Sequence, residues 1–398
     1  MSFSVVIVKD TLKTGRNTDR ATAVLANALN TRGFRVSVLT LQSSRIPYAV
    51  TFDAGIICYR IRPPRLLYRL RFLNKLFLRT TAGAWILRWL LPFLDLTLGT
   101  SRRVQKRLRE LAPDIVLSSG SDEAVLLTYA GPLGLPFIQM FHLYPPAYFA
   151  NGKLQRIPRF IRALHQAEAC QVLLPSHREM LRNKISAPIE VIGDAIPYPT
   201  DEPLPPPERR EKTILYAARF GRDKNQLTLL EAYAKLGDTD WTLCLYGTGT
   251  PEWENSLRRR AASLNIAHRV QFFGIDRVPR PVLSRAGICA FPSLSEGFGL
   301  ALAEAMWCGL PCVGLATAPG VCELITHEAN GLLAPTPDAN ALSTQLRRLT
   351  DSPDLRIRLG ITAAKFARAT YSADRIAQQW EDLLLSTLKL VKKTPQTP

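Results

Sequence analysis

One stretch in the second half of the chain, residues 292–312, reads PSLSEGFGLALAEAMWCGLPC. The apolar run from Gly287 to Phe291 precedes it and predicts a strand; glycines then predict a turn, and Leu300 to Cys308 predicts a helix. This order is typical of α/β proteins that direct a helix N-terminus at a phosphate. Two carboxylates stand eight positions apart, Glu296 in the turn and Glu304 in the helix. Because the helix is mostly apolar and predicted to be buried, Glu304 requires a hydrogen-bonding partner.

The alternation of strands and helices extends outward through both halves of the chain, and it predicts parallel sheets with helices on both faces. A proline-rich, charged stretch at 197–212 predicts a boundary, since few core elements tolerate so much proline. We therefore expect an α/β protein with two Rossmann-like doubly wound domains facing across a cleft. The expected parts are an N-terminal domain over 1–196, the linker 197–212, a C-terminal domain over 213–375, and a helix with a frayed tail over 376–398 that packs back towards the N-terminal domain.

Strands and helices are predicted individually from apolar runs and from helical spacing. Predicted strands are 3–8, 36–41, 115–118, 137–140, 172–174, 189–192, 213–216, 242–246, 270–273, 287–291 and 312–315. Predicted helices are 18–32, 226–236, 252–264, 279–286, 300–308, 338–350 and a helical region over 353–390 with a kink near Tyr371 and Ser372.

Composition places the chain among globular proteins: it has 398 residues, of which 46% are hydrophobic. No run of about 18 apolar residues is free of charge, so no membrane span is predicted. The seven cysteines form no Cys-x-x-Cys pair, which favours free thiols in a reducing cytoplasm. The five histidines show no metal-ligand spacing either.

A second candidate anion site follows the first strand of the C-terminal half. Arg219 and Lys224 flank Gly221 in a turn between a strand and a helix, where cations and backbone N–H groups can converge on a phosphate. A solvated basic turn is the alternative interpretation. Two later strands end at Gly247 and Gly274, and glycine there lets a ligand approach the backbone, although a plain turn also needs glycine.

In chain order these pieces read Arg-x4-Lys, Gly-x-Gly, strand-Gly and Pro-Ser-x2-Glu-Gly-Phe-Gly-x4-Glu-Ala-Met-x2-Gly-x-Pro. This order of motifs closely resembles that of the retaining glycosyltransferases of family 4, which have the GT-B fold. The resemblance is specific from Thr213 to Thr350 and looser in the first domain. There the family often has a Gly-Gly pair after its first strand, whereas this chain has Gly15 followed by Arg16.

The resemblance implies roles for individual residues. Arg219 and Lys224 would hold the donor diphosphate, together with backbone N–H groups of Phe298, Gly299 and Leu300. Glu304 would bind the ribose, and Glu296 would bind the transferred sugar. Gly274 and Ile275 would lie by the base, and Gly15 and Gly247 would also lie at the donor. Fixed cations at the diphosphate imply that neither a metal nor another cofactor is needed.

His142 follows the predicted strand 137–140. A lone histidine after a strand is often structural. The resemblance nevertheless places His142 beside the sugar and the acceptor, as a catalytic residue together with Glu296, Arg219 and Lys224.

Positive charge is concentrated between Arg60 and Glu110, with thirteen Lys or Arg and two acidic residues, in a chain of net charge +18. Leucines and the aromatic Trp85 and Trp89 lie at helical spacing among these cations, as in a helix that lies in a membrane surface. A buried helical hairpin with a wet basic face is the alternative, and no nucleic-acid module accompanies the charge. We expect a basic helical insert over 60–110 that binds anionic lipid.

These observations favour a retaining glycosyltransferase that uses a UDP- or GDP-sugar and a glycolipid or lipid-linked glycan acceptor. Such acceptors belong to cell-surface polysaccharide or lipopolysaccharide synthesis, and the enzyme would lie peripherally on the inner face of the cytoplasmic membrane. Alternatives are a glycosyltransferase with a soluble acceptor, a nucleotide-sugar epimerase on the same fold, and a non-catalytic basic scaffold for membranes. We expect no nucleic-acid partner.

Overall fold

The computed structural model describes residues 3–12, 17–41, 50–61, 99–146, 148, 156–274, 278 and 280–393. These residues divide into two compact units. The first unit comprises the described residues up to Ala195 and those from Ile376 onward, and the second comprises Ile196–Arg375. Two predicted donor-binding residues, Gly15 and Ile275, lie outside the described residues, as does 62–98 of the predicted basic insert.

The first unit is built on a sheet of seven parallel strands. They are β1 (Ser4–Lys9), β2 (Arg35–Thr40), β3 (Ile57–Arg60), β4 (Ile115–Ser118), β5 (Phe137–Phe141), β6 (Ala169–Val172) and β7 (Ile189–Val191), in the order β3-β2-β1-β4-β5-β6-β7. Its helices are α1 (Asn17–Thr31), α2 (Thr100–Leu111), α3 (Ser121–Thr128), α4 (Arg156–Leu164) and α5 (Pro175–Leu181). Residues 5–8 of the central strand β1 are all β-branched, as expected of a strand that is buried on both faces.

The second unit has six parallel strands. They are β8 (Thr213–Ala217), β9 (Thr242–Tyr246), β10 (Val270–Phe272), β11 (Ile288–Phe291), β12 (Cys312–Leu315) and β13 (Leu332–Ala334), in the order β10-β9-β8-β11-β12-β13. The helices are α6 (Gln226–Ala234), α7 (Pro251–Ser263), α8 (Arg280–Arg285), α9 (Leu300–Trp307), α10 (Pro319–Cys322), α11 (Ala339–Asp351) and α12 (Pro353–Tyr371). The predicted fold class, two doubly wound parallel sheets with flanking helices, is confirmed.

Each sheet has one point at which the direction of winding reverses. It lies between β1 and β4 in the first unit and between β8 and β11 in the second. Because the connections leave such a pair of strands in opposite directions, a crevice opens outside their carboxyl ends, and ligands of α/β proteins bind there. The residues that follow these four strands are therefore the first candidates for a functional site.

The helical region predicted over 353–390 is two helices, α12 and α13 (Ala373–Lys393), which meet at Ser372 in extended conformation. From Ile376 onward α13 belongs to the first unit. Trp380 and Leu384 are buried, and Arg32 Nε, just after α1, donates to Glu381 Oε2 at 2.6 Å. Among the helices that the structure describes, none is long and apolar enough to cross a bilayer.

Candidate active site

The crevice of the second unit brings together two predicted site residues. Lys224 follows β8 and Glu296 follows β11, and these strands are neighbours. Lys224 Nζ donates to Glu296 Oε1 at 2.7 Å and to the carbonyl oxygen of Ser295 at 3.0 Å. Both side chains are 12% exposed. The pair is thus a charge-assisted hydrogen bond in a partly desolvated position, which fixes the geometry of both groups.

The loop after β8 and the loop after β11 are also joined through their backbones. The Leu294 N–H donates to the Asp223 carbonyl oxygen at 2.8 Å. Next to the loop after β11, a Cβ atom on Gly320 would lie only 2.8 Å from the Glu296 carbonyl oxygen. The backbone of Glu296 therefore rests directly on the start of α10, and a glycine at 320 is required for this close approach.

Arg219, the second predicted phosphate-binding cation, is more exposed. Its Nη2 donates to both carboxylate oxygens of Asp223 at 2.7 Å, and its side chain is 61% exposed. A Cβ atom on Gly221 would lie 2.5 Å from Arg219 Nη1, so the guanidinium folds across this glycine. Both predicted cations therefore have a carboxylate partner, which the sequence pattern did not indicate.

Helix α9 begins directly after the glycine-rich turn. Gly299 precedes its first residue, Leu300, at a φ of 88°, which favours glycine, and no side chain within the described residues caps this helix start. Phe298 is buried, with its ring edge-on to Tyr371 at a centroid distance of 4.9 Å. The packing of Phe298 fixes the turn, and the N-terminal N–H groups of α9 carry partial positive charge.

Glu304 is buried in α9, 5% exposed, as its apolar surroundings predicted. The hydroxyl of Tyr198 donates to Glu304 Oε1 at 3.3 Å. Tyr198 lies in the predicted linker, and its ring packs edge-on against Trp307 with centroids 6.5 Å apart. We did not predict a contact for Tyr198, because a tyrosine among prolines gives no signal in sequence spacing.

The two predicted strand-end glycines lie in different surroundings. A Cβ atom on Gly247 would lie 2.1 Å from the carbonyl oxygen of Ala218, so close packing between the β8 and β9 loops requires this glycine. Gly274 has a φ of 64°, and no atom of the described residues beyond its chain neighbours lies within 4 Å of its Cβ position. Gly247 therefore has a packing role, whereas Gly274 leaves room beside the backbone.

The crevice of the first unit holds charged residues that we did not predict. Lys9 ends β1 and is 5% exposed, and its Nζ lies 3.6 Å from Asp19 Oδ1. The Asp10 N–H donates to Glu123 Oε1 at 2.7 Å, which ties the loop after β1 to the first turn of α3. Burial, and then the neighbouring Asp10 carboxylate, raise the pKa of Glu123 to about 7, against the opposing effect of Lys9.

His142, just beyond β5, lies in this crevice. Its Nδ1 is 3.9 Å from Asp194 Oδ1, and its backbone N–H donates to the Tyr148 hydroxyl at 3.0 Å. Burial, and then the nearby Lys9 ammonium, lower the pKa of His142 to about 3, so the imidazole is neutral. Burial raises the pKa of Asp194 to about 7, although Arg20 opposes this.

A simple signal could have found these residues. Lys9, Asp10 and Asp194 each stand at or just beyond the carboxyl end of a predicted strand, as His142 does. Charged side chains at the carboxyl edge of a parallel sheet are candidates for ligand contact. Glu123 could not be found in this way, because it resembles an ordinary acidic residue in the first turn of a helix.

Comparison with known proteins assigns the chain to a family. Residues 201–366 match the family described as glycosyl transferases group 1, and residues 19–197 match glycosyltransferase family 4. N-acetyl-alpha-D-glucosaminyl L-malate synthase from Bacillus anthracis is 29% identical over 45% of this chain and 46% of its own. The match therefore spans about half the length of that relative.

Two further proteins illustrate the range of similar chains. An N-acetylgalactosaminyltransferase of Campylobacter jejuni, whose named acceptor is N-acetylgalactosamine-N,N'-diacetylbacillosaminyl-diphospho-undecaprenol, is 29% identical over 37% of this chain and 40% of its own. A crystal structure of HepE from Anabaena, in complex with UDP and glucose, has a TM-score of 0.73 at 16% identity, covering 96% of this chain and all of that one. At that identity the likeness shows the fold.

The two family matches cover both halves of the chain, and the two doubly wound sheets are those of the GT-B fold. This chain belongs to the family 4 glycosyltransferases, with a glycosyl transferases group 1 domain in its C-terminal half, and is a transferase of the GT-B fold.

Proposed function

We propose that the enzyme transfers a sugar from a UDP- or GDP-sugar to a glycolipid or lipid-linked glycan, with retention of the anomeric configuration. The observation that carries the donor part is the Lys224–Glu296 pair beside the start of α9, where Gly299 supplies no capping side chain. A cation and a helix N-terminus suit a diphosphate, and a fixed carboxylate suits sugar hydroxyls.

The chemistry follows from what each group offers. As the glycosidic bond breaks, the departing nucleoside diphosphate gains negative charge, which Lys224 and the N-terminal N–H groups of α9 would stabilise. Arg219 would join them by turning from Asp223, since its side chain is exposed. Glu304, buried and already hydrogen-bonded to a hydroxyl group, would accept hydrogen bonds from the ribose.

Retention is proposed without a covalent intermediate on Glu296. Lys224 holds the carboxylate of Glu296 in an ion pair, which lowers its nucleophilicity and suits it to positioning the donor sugar. The departing phosphate would then assist attack from the same face. Trapping of a glycosyl group on an enzyme side chain would contradict this pathway, and NMR of the product would determine its anomeric configuration. We also propose that no metal or other cofactor takes part.

The nucleotide part has support from a protein of the same fold. HepE, whose crystal structure contains UDP and glucose, shares the fold over nearly the whole chain. To test the donor, radiolabelled UDP- and GDP-sugars would be incubated with membrane lipid extracts and the purified enzyme. We expect transfer or slow hydrolysis of one donor, and loss of that activity in Glu296→Ala. Full turnover in Glu296→Ala would show that the site is misplaced.

The positive charge on the surface of α2 supports the proposed lipid-linked acceptor. The outward face of α2 carries the exposed side chains of Arg102, Arg103, Lys106 and Arg109, and each such cation near an anionic membrane contributes about 1 kcal/mol. The relative from Campylobacter jejuni is named for a diphospho-undecaprenol acceptor. The Bacillus anthracis relative is named instead for L-malate, which keeps a soluble acceptor as the alternative.

Co-sedimentation with vesicles tests the membrane location, which we place on the cytoplasmic face. At low salt the wild type should pellet with vesicles containing anionic lipid and stay in solution with neutral ones. The triple change Arg102, Lys106 and Arg109 to Gln should weaken pelleting, whereas a matched triple change of exposed cations in the second unit, Lys235, Arg259 and Lys365 to Gln, should not. A wild type that stays in solution with anionic vesicles would leave the soluble acceptor as the remaining proposal.

A further inference from the structure

His142 and Asp194 form a pair at the carboxyl edge of the first sheet. Asp194 follows β7 and is 13% exposed, whereas the imidazole of His142 is 5% exposed. Their closest atoms, His142 Nδ1 and Asp194 Oδ1, are 3.9 Å apart, about 1 Å longer than a hydrogen bond. A small side-chain rotation would close this gap. Neither ring nitrogen of His142 has a hydrogen-bond partner among the residues that the structure describes.

Among the described residues, the other charged and hydroxyl groups near the imidazole are already engaged or lack an acceptor atom. Lys9, from β1, only donates hydrogen bonds and acts on the imidazole as a positive charge. The Tyr148 hydroxyl already accepts the backbone N–H groups of His142 and Leu143. Glu123, from α3, accepts the Asp10 N–H and makes no hydrogen bond to the imidazole. Asp194 is left as the carboxylate beside Nδ1, with Arg20 of α1 as the cation that acts on it.

A neutral imidazole carries one N–H, and the partner of one nitrogen determines the role of the other. We propose that Asp194 is a positioning residue that holds His142 as the Nδ1–H tautomer, which leaves Nε2 to accept a hydrogen bond from a hydroxyl of the bound sugar or sugar acceptor. This inference rests on the proposed glycosyl transfer for the identity of the ligand, but the tautomer itself is a property of the free protein.

The pair has a defined pH dependence. Because the pKa of Asp194 is raised to about 7, its carboxylate is protonated in acid and forms as the pH rises through neutrality. The imidazole, with a pKa near 3, stays neutral over the same range. The protonated carboxyl can donate its O–H to Nδ1 and so stabilise the opposite tautomer, and turnover should therefore rise with pH around 7 as Asp194 ionises. Two further carboxylates near this site, Asp10 in the loop after β1 and Asp19 in α1, lie beside Lys9.

Glu123 ionises in the same range and provides the matched control. The Glu123→Gln variant keeps an oxygen that can accept the Asp10 N–H but no longer titrates. If Asp194 is responsible for the rise of turnover around pH 7, this rise persists in Glu123→Gln and disappears in Asp194→Asn. If it disappears only in Glu123→Gln, Glu123 is responsible and the inference is wrong.

The tautomer can be measured directly by 15N NMR of histidine-labelled protein at pH 8, with His142 assigned from its loss in His142→Asn. We expect the Nδ1–H form in the wild type and in Asp194→Asn, whose amide oxygen still accepts. In Asp194→Ala we expect the Nε2–H form or a mixture of the two. An Nε2–H form in the wild type, or an unchanged tautomer in Asp194→Ala, would overturn the inference.

Kinetics separate this inference from the proposed function. Asp194→Ala should lower kcat about 10- to 100-fold, as for other residues that orient a histidine, while the KM for the nucleotide sugar changes little. Circular dichroism would establish that Asp194→Ala is folded. If it is not folded, the pH profile of turnover in Asp194→Asn carries the test. If the wild type turns over no nucleotide sugar, the proposed function fails, whereas the NMR result still decides the tautomer.

Discussion

The crevices of the two units share one topology but differ in their chemistry. In the second unit, Lys224 and Glu296 meet in a charge pair beside a helix start, and Arg219 is exposed. In the first unit the charged groups are more deeply buried: Lys9 and Glu123 are about 5% and 4% exposed, and His142 is held neutral. The comparison teaches that the strand order determines where a crevice opens, whereas the side chains after each strand determine what it can bind.

The difference has a physical origin in charge and solvation. The second crevice places fixed positive charge where a leaving diphosphate would develop negative charge. The first places two carboxyl groups with pKa values near 7 around a neutral imidazole, so its groups are poised between donor and acceptor forms at physiological pH. Such groups suit hydroxyls, which both donate and accept hydrogen bonds.

The largest effect should come from removing the cation of the second crevice. Lys224→Ala takes away a positive charge at the proposed diphosphate site and frees the Glu296 carboxylate to repel the donor. We expect transfer to fall about 10²- to 10³-fold, the usual loss for one group that stabilises developing charge. Steady-state kinetics would measure it, with exposed Lys365→Ala as the unaffected control. Equal losses in both variants would break the assignment of phosphate binding to the β8 loop.

The next effect concerns stability in the first crevice. The folded-state pKa of Glu123, about 7, lies above its ordinary value of 4.5, so its contribution to stability is present in acid and lost as the pH rises through about 7. Glu123→Gln removes that loss and should be more stable than wild type by up to about 3 kcal/mol at pH 8, with little difference near pH 4. Urea unfolding at both pH values would measure this.

Glu179→Gln is the matched control for that measurement, because Glu179 is 66% exposed and lies on α5 of the same unit. It should follow the wild type at both pH values. A Glu123→Gln variant that also follows the wild type would mean that Glu123 is not buried as a titrating group, and the contrast between the two crevices would weaken accordingly.

A smaller effect should come from lifting the Glu296 loop. In Gly320→Ala the new methyl group would meet the backbone of Glu296 at 2.8 Å, so the loop must shift. We expect a loss of about 1–3 kcal/mol in stability, typical of overpacking, and about a tenfold loss in turnover. Leu346→Ala, in α11, should lower stability without a matching loss of turnover well below its unfolding temperature. Equal turnover losses would mean that the loop position is unimportant.

The smallest effect concerns divalent metal. If fixed cations and a helix start suffice for the diphosphate, then chelation with EDTA should leave transfer unchanged. Activity assays with and without EDTA, followed by addition of Mg²⁺ or Mn²⁺, would test this. Loss of transfer on chelation, restored by one of these ions, would show that the second crevice needs a charge that its side chains do not supply.

Much of the fold could be predicted because its strands are strongly apolar. The predicted strands 115–118, 242–246 and 312–315 have the observed bounds. Strand β6 was misplaced: we predicted 172–174, but the strand is Ala169–Val172, because the small and polar residues before Val172 give no strand signal. Strands β3 and β13, each short and at a sheet edge, were not predicted.

The site was less predictable than the fold, and the reason is pairing. Spacing indicated that Lys224 and Glu296 belong to one region, but not that they bond to each other. Nor does any local pattern connect Tyr198 to Glu304, or Asp194 to His142, since these contacts depend on how distant loops meet. Gly15 and Ile275 lie outside the described residues, so their roles stay predictions.

The return of α13 to the first unit has a consequence for synthesis of the protein. The second unit, Ile196–Arg375, is one continuous stretch of chain, whereas the first is completed only by residues from Ile376 onward. On the ribosome, the second unit can therefore finish folding while the surface that receives Trp380 and Leu384 is still bare. That exposed apolar surface is where a chaperone would be expected to bind the nascent chain.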